Sequence, residues 1–170
     1  MGNLLYPDFY CENIKYVDIK KLKENNIKGI ILDVDNTLID LDHNILEGAE
    51  EWCNKLKEQD IKFCILSNSN KKEKVKKVAK LLDIPYIYFG TKPLKRGFKK
   101  AKEMLNLPFN ELAIIGDQIF TDILGANLAG MPSFLVEPFQ MEPFLRFRLK
   151  RFLEKGILKR YRKKERRKNL

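Results

Sequence analysis

A chain of 170 residues, 44% hydrophobic and 33% charged, can bury one core, leaves little room for a second, and has a globular composition rather than a disordered one. No apolar run reaches the roughly 20 residues that span a bilayer, and Met-Gly-Asn-Leu-Leu-Tyr-Pro at the N-terminus has neither the basic nor the apolar region of a secretory leader. Cys11, Cys53 and Cys64 form no Cys-x-x-Cys pair for zinc or redox chemistry, so a reducing cytosol is expected. The net charge of +10 is unevenly placed: from Arg146 to Leu170 there are 13 Lys/Arg against 2 Asp/Glu, a net +11, while residues 1–145 carry −1.

Along the chain, Lys28-Gly-Ile-Ile-Leu-Asp33 is a short apolar run suited to a strand buried on both faces of a parallel sheet. Glu47 to Glu58 reads as a helix, with Ala49, Trp52, Cys53 and Leu56 on one face. The pattern repeats: a strand at Ile61–Leu66, a helix at Lys71–Leu82, a more polar strand at Pro85–Phe89 and a helix at Lys95–Leu105. A strand at Leu112–Ile115, a helix at Thr121–Ala129 and a final strand at Ser133–Val136 complete it. Such alternation predicts an α/β fold, a doubly wound, Rossmann-like parallel sheet of about five strands over residues 1–140, followed by a basic C-terminal extension over 141–170.

Ligands in such folds bind beyond the carboxyl ends of the strands, near the point where strand order reverses. The segments that follow four of the strands are Asp-Val-Asp-Asn-Thr, Ser-Asn-Ser-Asn, Thr-Lys-Pro and Gly-Asp-Gln, so polar groups from four strands are expected on one edge. Asp33 and Asp35 stand at i and i+2, with Thr37 two further on, and Asp117 ends the fourth strand. Clustered carboxylates repel unless a cation neutralises them, which predicts a hard metal such as Mg2+. Any one of these acids alone is more often a turn or cap residue, and Asp122, at a helix start, keeps that alternative. His43, in a polar turn, is assigned no role.

Asp33-Val-Asp-Asn-Thr37, Ser67-Asn68, Lys92 before a proline, and Gly116-Asp-Gln-Ile-Phe-Thr-Asp122 resemble, in order, the four motifs of the haloacid dehalogenase (HAD) phosphatases. The resemblance implies a Mg2+-dependent phosphomonoester hydrolase in which Asp33 becomes an aspartyl phosphate and Asp35 serves as general acid and base. It further implies that Thr37, Ser67, Asn68 and Lys92 meet the phosphoryl group, with Lys92 neutralising charge. Asp33, Asp117 and the backbone carbonyl of Asp35 would hold the metal, and Asp122 would support them from behind.

The intervals between motifs leave no room for a cap domain: about thirty residues separate Asp33 from Ser67. A capless subclass III site suits bulky or macromolecular substrates, or an oligomer interface that covers it. Leu5-Tyr-Pro, Thr91-Lys-Pro-Leu and the run from Gly116 to Gly125 are similar to the YqeG family, which includes mitochondrial and plastid phosphatidylglycerophosphate phosphatases. That similarity implies a phospholipid substrate at a membrane surface, in phosphatidylglycerol synthesis.

Leu145, Leu149, Phe152, Leu153 and Ile157 fall on one helical face, surrounded by Arg146, Arg148, Arg151, Lys155 and Lys159. A basic amphipathic helix reads as a membrane-surface element, so residues 144–168 are expected to meet anionic lipid and to hold a cytoplasmic protein on the inner face of the membrane. In the alternative, the stripe packs on the domain and Arg160 to Lys168 is a disordered end. Two other functions compete: a soluble phosphatase for sugar phosphates, nucleotides or nucleic-acid ends, and an RNA- or ribosome-binding protein whose phosphatase site is secondary. No RNP-type aromatic signature or GXXG loop supports the latter.

Overall fold

The computed structural model describes residues 3–140 and 145–168. Residues 141–144 and 169–170 of the expected C-terminal extension lie outside the described residues, as do the side chains at 146, 147 and 166–168.

Six strands form one wholly parallel sheet. In chain order the elements are β1 (Phe9–Cys11), α1 (Ile19–Glu24), β2 (Gly29–Leu32), α2 (Ala49–Lys57), β3 (Lys62–Leu66), α3 (Lys72–Leu82), β4 (Tyr86–Ile87), α4 (Lys95–Leu105), β5 (Leu112–Gly116), α5 (Leu124–Ala129), β6 (Ser133–Val136) and α6 (Leu145–Lys168). The sheet order is β1-β6-β5-β2-β3-β4. From β2 the chain winds outward through β3 to β4, then returns across the sheet by α4 to place β5 on the other side of β2. The strand order therefore reverses between β2 and β5, where ligand sites of this architecture form.

The four predicted residues at the heart of β2, Gly29 to Leu32, are all buried, because both faces of the sheet are covered. Alternation divides the strands between two cores. Ile30, Leu32, Phe63, Ile65, Ala113 and Ile115 face α2, α3 and the N-terminal segment. Ile31, Cys64, Leu66, Leu112 and Ile114 face Phe98, Ala101 and Leu105 of α4 and Ala126 of α5. Each buried aliphatic side chain contributes on the order of 1.5–3 kcal/mol.

The sheet has one strand more than expected. β1 is three residues long and pairs parallel with β6 at the edge, Phe9 opposite Phe134; so short a segment carries no alternation by which a sequence could show it. The third expected strand shrinks to Tyr86–Ile87, since the chain leaves the sheet at Phe89, whose φ is +50°. The helix expected from Thr121 begins instead with a π-helical turn over Ile119–Ile123 and becomes α-helical at Leu124.

The extension departs from the alternative reading on both counts. α6 is helical from Leu145 to Lys168, through the part that the alternative reading took as disordered. It lies on the protein by the face Arg151, Glu154, Leu158 and Tyr161, not by the aliphatic stripe. Leu145, Leu149, Phe152 and Leu153 are all more than half exposed, and only Ile157 of that stripe is partly buried. Arg151, expected among the cations that surround the stripe, is 8% exposed.

Candidate active site

Four segments that leave the carboxyl ends of parallel strands converge here. Asp33 follows β2, Ser67 follows β3, Lys92 lies in the loop after β4, and Asp117 follows β5. Adjacent pairing of β2 with both β3 and β5 puts the first, second and fourth segments side by side. Asp33, Thr37, Ser67, Lys92, Asp117 and Asp122 are all buried.

Lys92 holds the centre. Its Nζ donates to Asp33 Oδ1 and to Asp122 Oδ1, each at 2.6 Å. Burial alone would lower the pKa of this ammonium, but the charges of Asp122 and Asp33, together with the hydrogen bonds to them, outweigh it and raise the pKa above the ordinary lysine value. Lys92 is therefore a fixed cation. Its backbone is held by Asn68, whose Oδ1 accepts from Lys92 N at 2.7 Å and whose Nδ2 donates to Lys92 O at 2.9 Å. Asn68, expected at the phosphate, thus uses both ends of its amide on the Lys92 loop.

Asp122 is fully buried behind Asp33 and Lys92, and its Oδ2 accepts from the N–H of Gln118 at 3.1 Å. Room for it comes from Gly116: a β-carbon there would lie 2.4 Å from Asp122 Cγ, so glycine lets the π-helical turn fold back against the strand end. Burial pushes the Asp122 carboxyl up to about 6, against the opposing pull of Lys92. Asp117 is raised well above the usual carboxylate range, first by burial and then by the charges of Asp33 and Asp122, although Arg151 opposes this.

One carboxylate oxygen from each of Asp33, Asp117 and Asp122 lies within 4.8 Å of the others. Thr37 Oγ1 sits between two of them, 3.5 Å from Asp33 Oδ2 and 3.4 Å from Asp117 Oδ1. The charges decide what the cluster suits. Three carboxylates face one ammonium, and Arg151 is matched by Glu154 at 3.1 Å, so the site is short of two positive charges. An all-oxygen donor set with that deficit fits one hard divalent cation. Because both oxygens of Asp122 are engaged by Lys92 and Gln118, Asp33 and Asp117 are the better placed ligands.

Ser67 Oγ accepts from the N–H of Ser69 at 3.1 Å, which leaves its own proton to donate to a substrate. The structure does not bring the Asp35 carboxylate into the cluster. That side chain is half exposed at the mouth of the site and is ion-paired with Lys74 in the first turn of α3. None of the three buried cysteines is a competing nucleophile: burial pushes Cys53 and Cys64 up to about 12 and raises Cys11, so all three stay protonated.

Three contributors escaped the sequence reading. Lys74 looked like any solvated lysine near a helix start. Arg151, from α6, donates through Nη1 to the Asp117 carbonyl at 2.8 Å and through Nη2 to the Asp117 carboxylate. Glu154, one turn on, accepts from the N–H groups of Ile119 and Phe120 at 2.9 and 3.4 Å, at the start of the π-helical turn. A signal for the last pair existed: Glu154 is one of only two acids in a strongly basic segment, and it stands at i+3 from an arginine.

The sequence model of the haloacid dehalogenase-like hydrolases matches residues 41–130. The chain is 39% identical over 153 residues to the probable phosphatase YqeG of Bacillus subtilis (strain 168), covering 89% of this chain and 88% of that one. It is 27% identical over 172 residues to the chloroplastic and mitochondrial phosphatidylglycerophosphate phosphatase 1 of Arabidopsis thaliana, covering 93% of this chain but only 48%, about half, of that protein's length. The fold is similar to that of the cobalt-bound deoxy-D-mannose-octulosonate 8-phosphate phosphatase of Haemophilus influenzae, with a TM-score of 0.54 at 20% identity over 66% of this chain and 70% of the other.

Proposed function

Since this chain belongs to the haloacid dehalogenase-like hydrolases, as a phosphatase without a cap domain, we propose that it removes the phosphomonoester of a phospholipid, phosphatidylglycerophosphate, at an anionic membrane surface. The observation that carries the lipid part is α6, which turns Leu145, Leu149, Phe152 and Leu153 outward on a helix rich in lysine and arginine. An apolar face rimmed by cations is what an interfacial helix presents to anionic lipid. The similarity to the Arabidopsis thaliana phosphatase supports the same substrate.

In this reading the Asp33 carboxylate attacks phosphorus, and the ester P–O bond breaks as the Asp–phosphate bond forms. Lys92 holds Asp33 in line at 2.6 Å and offsets the charge that spreads over the phosphoryl oxygens. Thr37 and Ser67 donate to those oxygens, while Asn68 acts through its grip on the Lys92 backbone. Asp35, swung from Lys74, gives its proton to the departing lipid alkoxide. It then takes a proton from the water that attacks phosphorus, which releases inorganic phosphate and restores Asp33. A Mg2+ held by Asp33, Asp117 and the carbonyl of Asp35 would neutralise the phosphate during transfer. Asp122 keeps Lys92 in place.

The test is phosphate release by the full chain with Mg2+, comparing phosphatidylglycerophosphate in anionic vesicles with soluble sugar phosphates, nucleotides and 5′-phosphorylated oligonucleotides. The lipid should be preferred by at least about tenfold in kcat/KM, with all turnover lost in Asp33→Asn at unchanged fold. Preference for a soluble ester sinks the lipid assignment and leaves the chemistry. Turnover by Asp33→Asn would falsify the nucleophile.

A further inference from the structure

Beside the acidic cluster, a groove of about 820 Å³ runs between α6 and the edge formed by the ends of β5 and β6. Asp117 and Arg151 are among the residues that line it. Its floor is apolar: Ile119 and Leu135 are buried there, with Leu158 of α6 and Tyr10 packed against them. Its rim on α6 is cationic, with Lys155, Lys159, Arg162 and Lys163.

Not all of these charges are matched by the protein. Arg151 is bound to Asp117 and Glu154, and Arg162 lies 3.7 Å from Glu137. Among the described residues, Lys155, Lys159 and Lys163 have no carboxylate partner. A size of this order is typical of a small-molecule site. Its chemistry is unusual in joining a hydrocarbon floor to a row of unmatched ammonium groups. A sugar phosphate has nothing to offer the floor, and a nucleic-acid backbone would use the rim but leave the floor wet.

We propose that this groove binds the leaving alcohol of the substrate, an amphiphile that carries a hydrocarbon part and a second acidic group, a phosphodiester. The inference rests on the phosphatase reading of the neighbouring cluster and adds where the organic portion lies. Helical geometry supports the arrangement. Lys155 is one turn beyond Arg151, about 6 Å along the axis, and lines the groove with it. Lys159 and Lys163 continue the same line at one-turn steps, so the anion meets the row while the chain beyond it turns onto Ile119, Leu135 and Leu158.

The experiment uses the full-length protein and the dephosphorylated product in monomeric form: dihexanoyl-phosphatidylglycerol below its micelle concentration, titrated by calorimetry. Glycerophosphoglycerol, which has the same anion and no chains, is the second probe. The variants are Lys155→Ala/Lys159→Ala, both exposed in the native protein, and Leu158→Gln, with thermal melts as the check on folding. The proposal expects the dihexanoyl compound to bind wild type at least about tenfold tighter than glycerophosphoglycerol, and each variant to weaken it by roughly tenfold. Equal binding of the two probes, no binding by wild type, or binding untouched by the substitutions overturns the groove. These results are separate from vesicle turnover: a protein that hydrolyses the lipid but binds its product equally in all variants keeps the function and loses this site.

Discussion

The carboxyl edge of the sheet and the helix α6 are the two most highly charged parts of the molecule, and they handle charge in opposite ways. At the sheet edge Asp33, Lys92, Asp117 and Asp122 are almost wholly removed from water, and each carboxylate or ammonium is met by another protein group. Among the described residues no buried side-chain nitrogen or oxygen lacks a hydrogen-bond partner. On α6 most of the described lysines and arginines stand in solvent, where their charge costs little. The difference shows what burying a charge requires: strand ends fixed by a ladder can hold partners at 2.6 Å, whereas a surface helix of long side chains cannot. The two regions meet at Arg151 and Glu154, the places where α6 gives up solvation.

The strongest way to break this contrast is Lys92→Met, which leaves Asp33 and Asp122 buried against one another. Loss of one partner from a buried pair costs about 3–5 kcal/mol, so denaturant unfolding should show a loss of that size, along with loss of phosphatase activity. Adding Asp122→Asn should recover much of the stability and none of the turnover. A drop below about 1 kcal/mol in Lys92→Met shows that the charges are solvated, and the contrast with α6 fails.

Arg151→Met tests the junction. It removes the donor to the Asp117 carbonyl and leaves Glu154 without its cation, which should cost about 1–3 kcal/mol. The loss should be local. Hydrogen exchange should accelerate along α6 while the amides of β2 and β5 keep their protection. Uniform acceleration across both elements would mean that helix and sheet unfold as one unit.

Acidity offers a smaller effect with a definite sign. Asp122 titrates near 6 in the folded protein, above the ordinary value of 3.8. Between those values the folded chain keeps a proton that the unfolded chain has released. Stability of the metal-free protein should therefore fall as pH rises through that window, and the raised Asp117 acts in the same direction. Thermal melts from pH 4 to 7 should show the slope, Asp122→Asn should reduce it, and Mg2+ should flatten it by favouring the charged carboxylates. A slope of opposite sign in the metal-free protein contradicts the burial argument.

The two regions also differ in how far they could be read in advance. Apolar runs of four or five residues with polar ends gave away β2, β3, β5 and β6, and Asp33, Ser67 and Asp117 were visible because each follows such a run. Sequence could not show that Asn68 grips the Lys92 backbone, nor that Asp35 turns to Lys74, because both depend on side-chain direction across separate loops. For α6 the helical period was right, and it was the alternative, with the aliphatic stripe packed on the domain, that had the wrong buried face. Hydrophobicity is a sound guide to the inner face only when burial is driven by apolar area. Here the docking face is fixed by an arginine, a glutamate and Tyr161, so the aliphatic stripe was left outside.

That outward stripe gives the prediction with the smallest effect on the folded protein. Leu149 and Phe152 are 61% and 73% exposed, so Leu149→Ser/Phe152→Ser removes little that folding buries, and unfolding should change by less than about 0.5 kcal/mol. Hydrolysis of p-nitrophenyl phosphate should be unchanged, since neither side chain touches the cluster. Sedimentation with anionic vesicles should nevertheless weaken by about tenfold, because each apolar side chain that enters the interface contributes on the order of 1 kcal/mol or more. Unaltered sedimentation assigns the membrane attraction to the cations alone, in which case raising the salt to 0.5 M should abolish it. A large loss of stability instead would mean that the stripe is buried after all, and that α6 and the sheet edge are held by the same force.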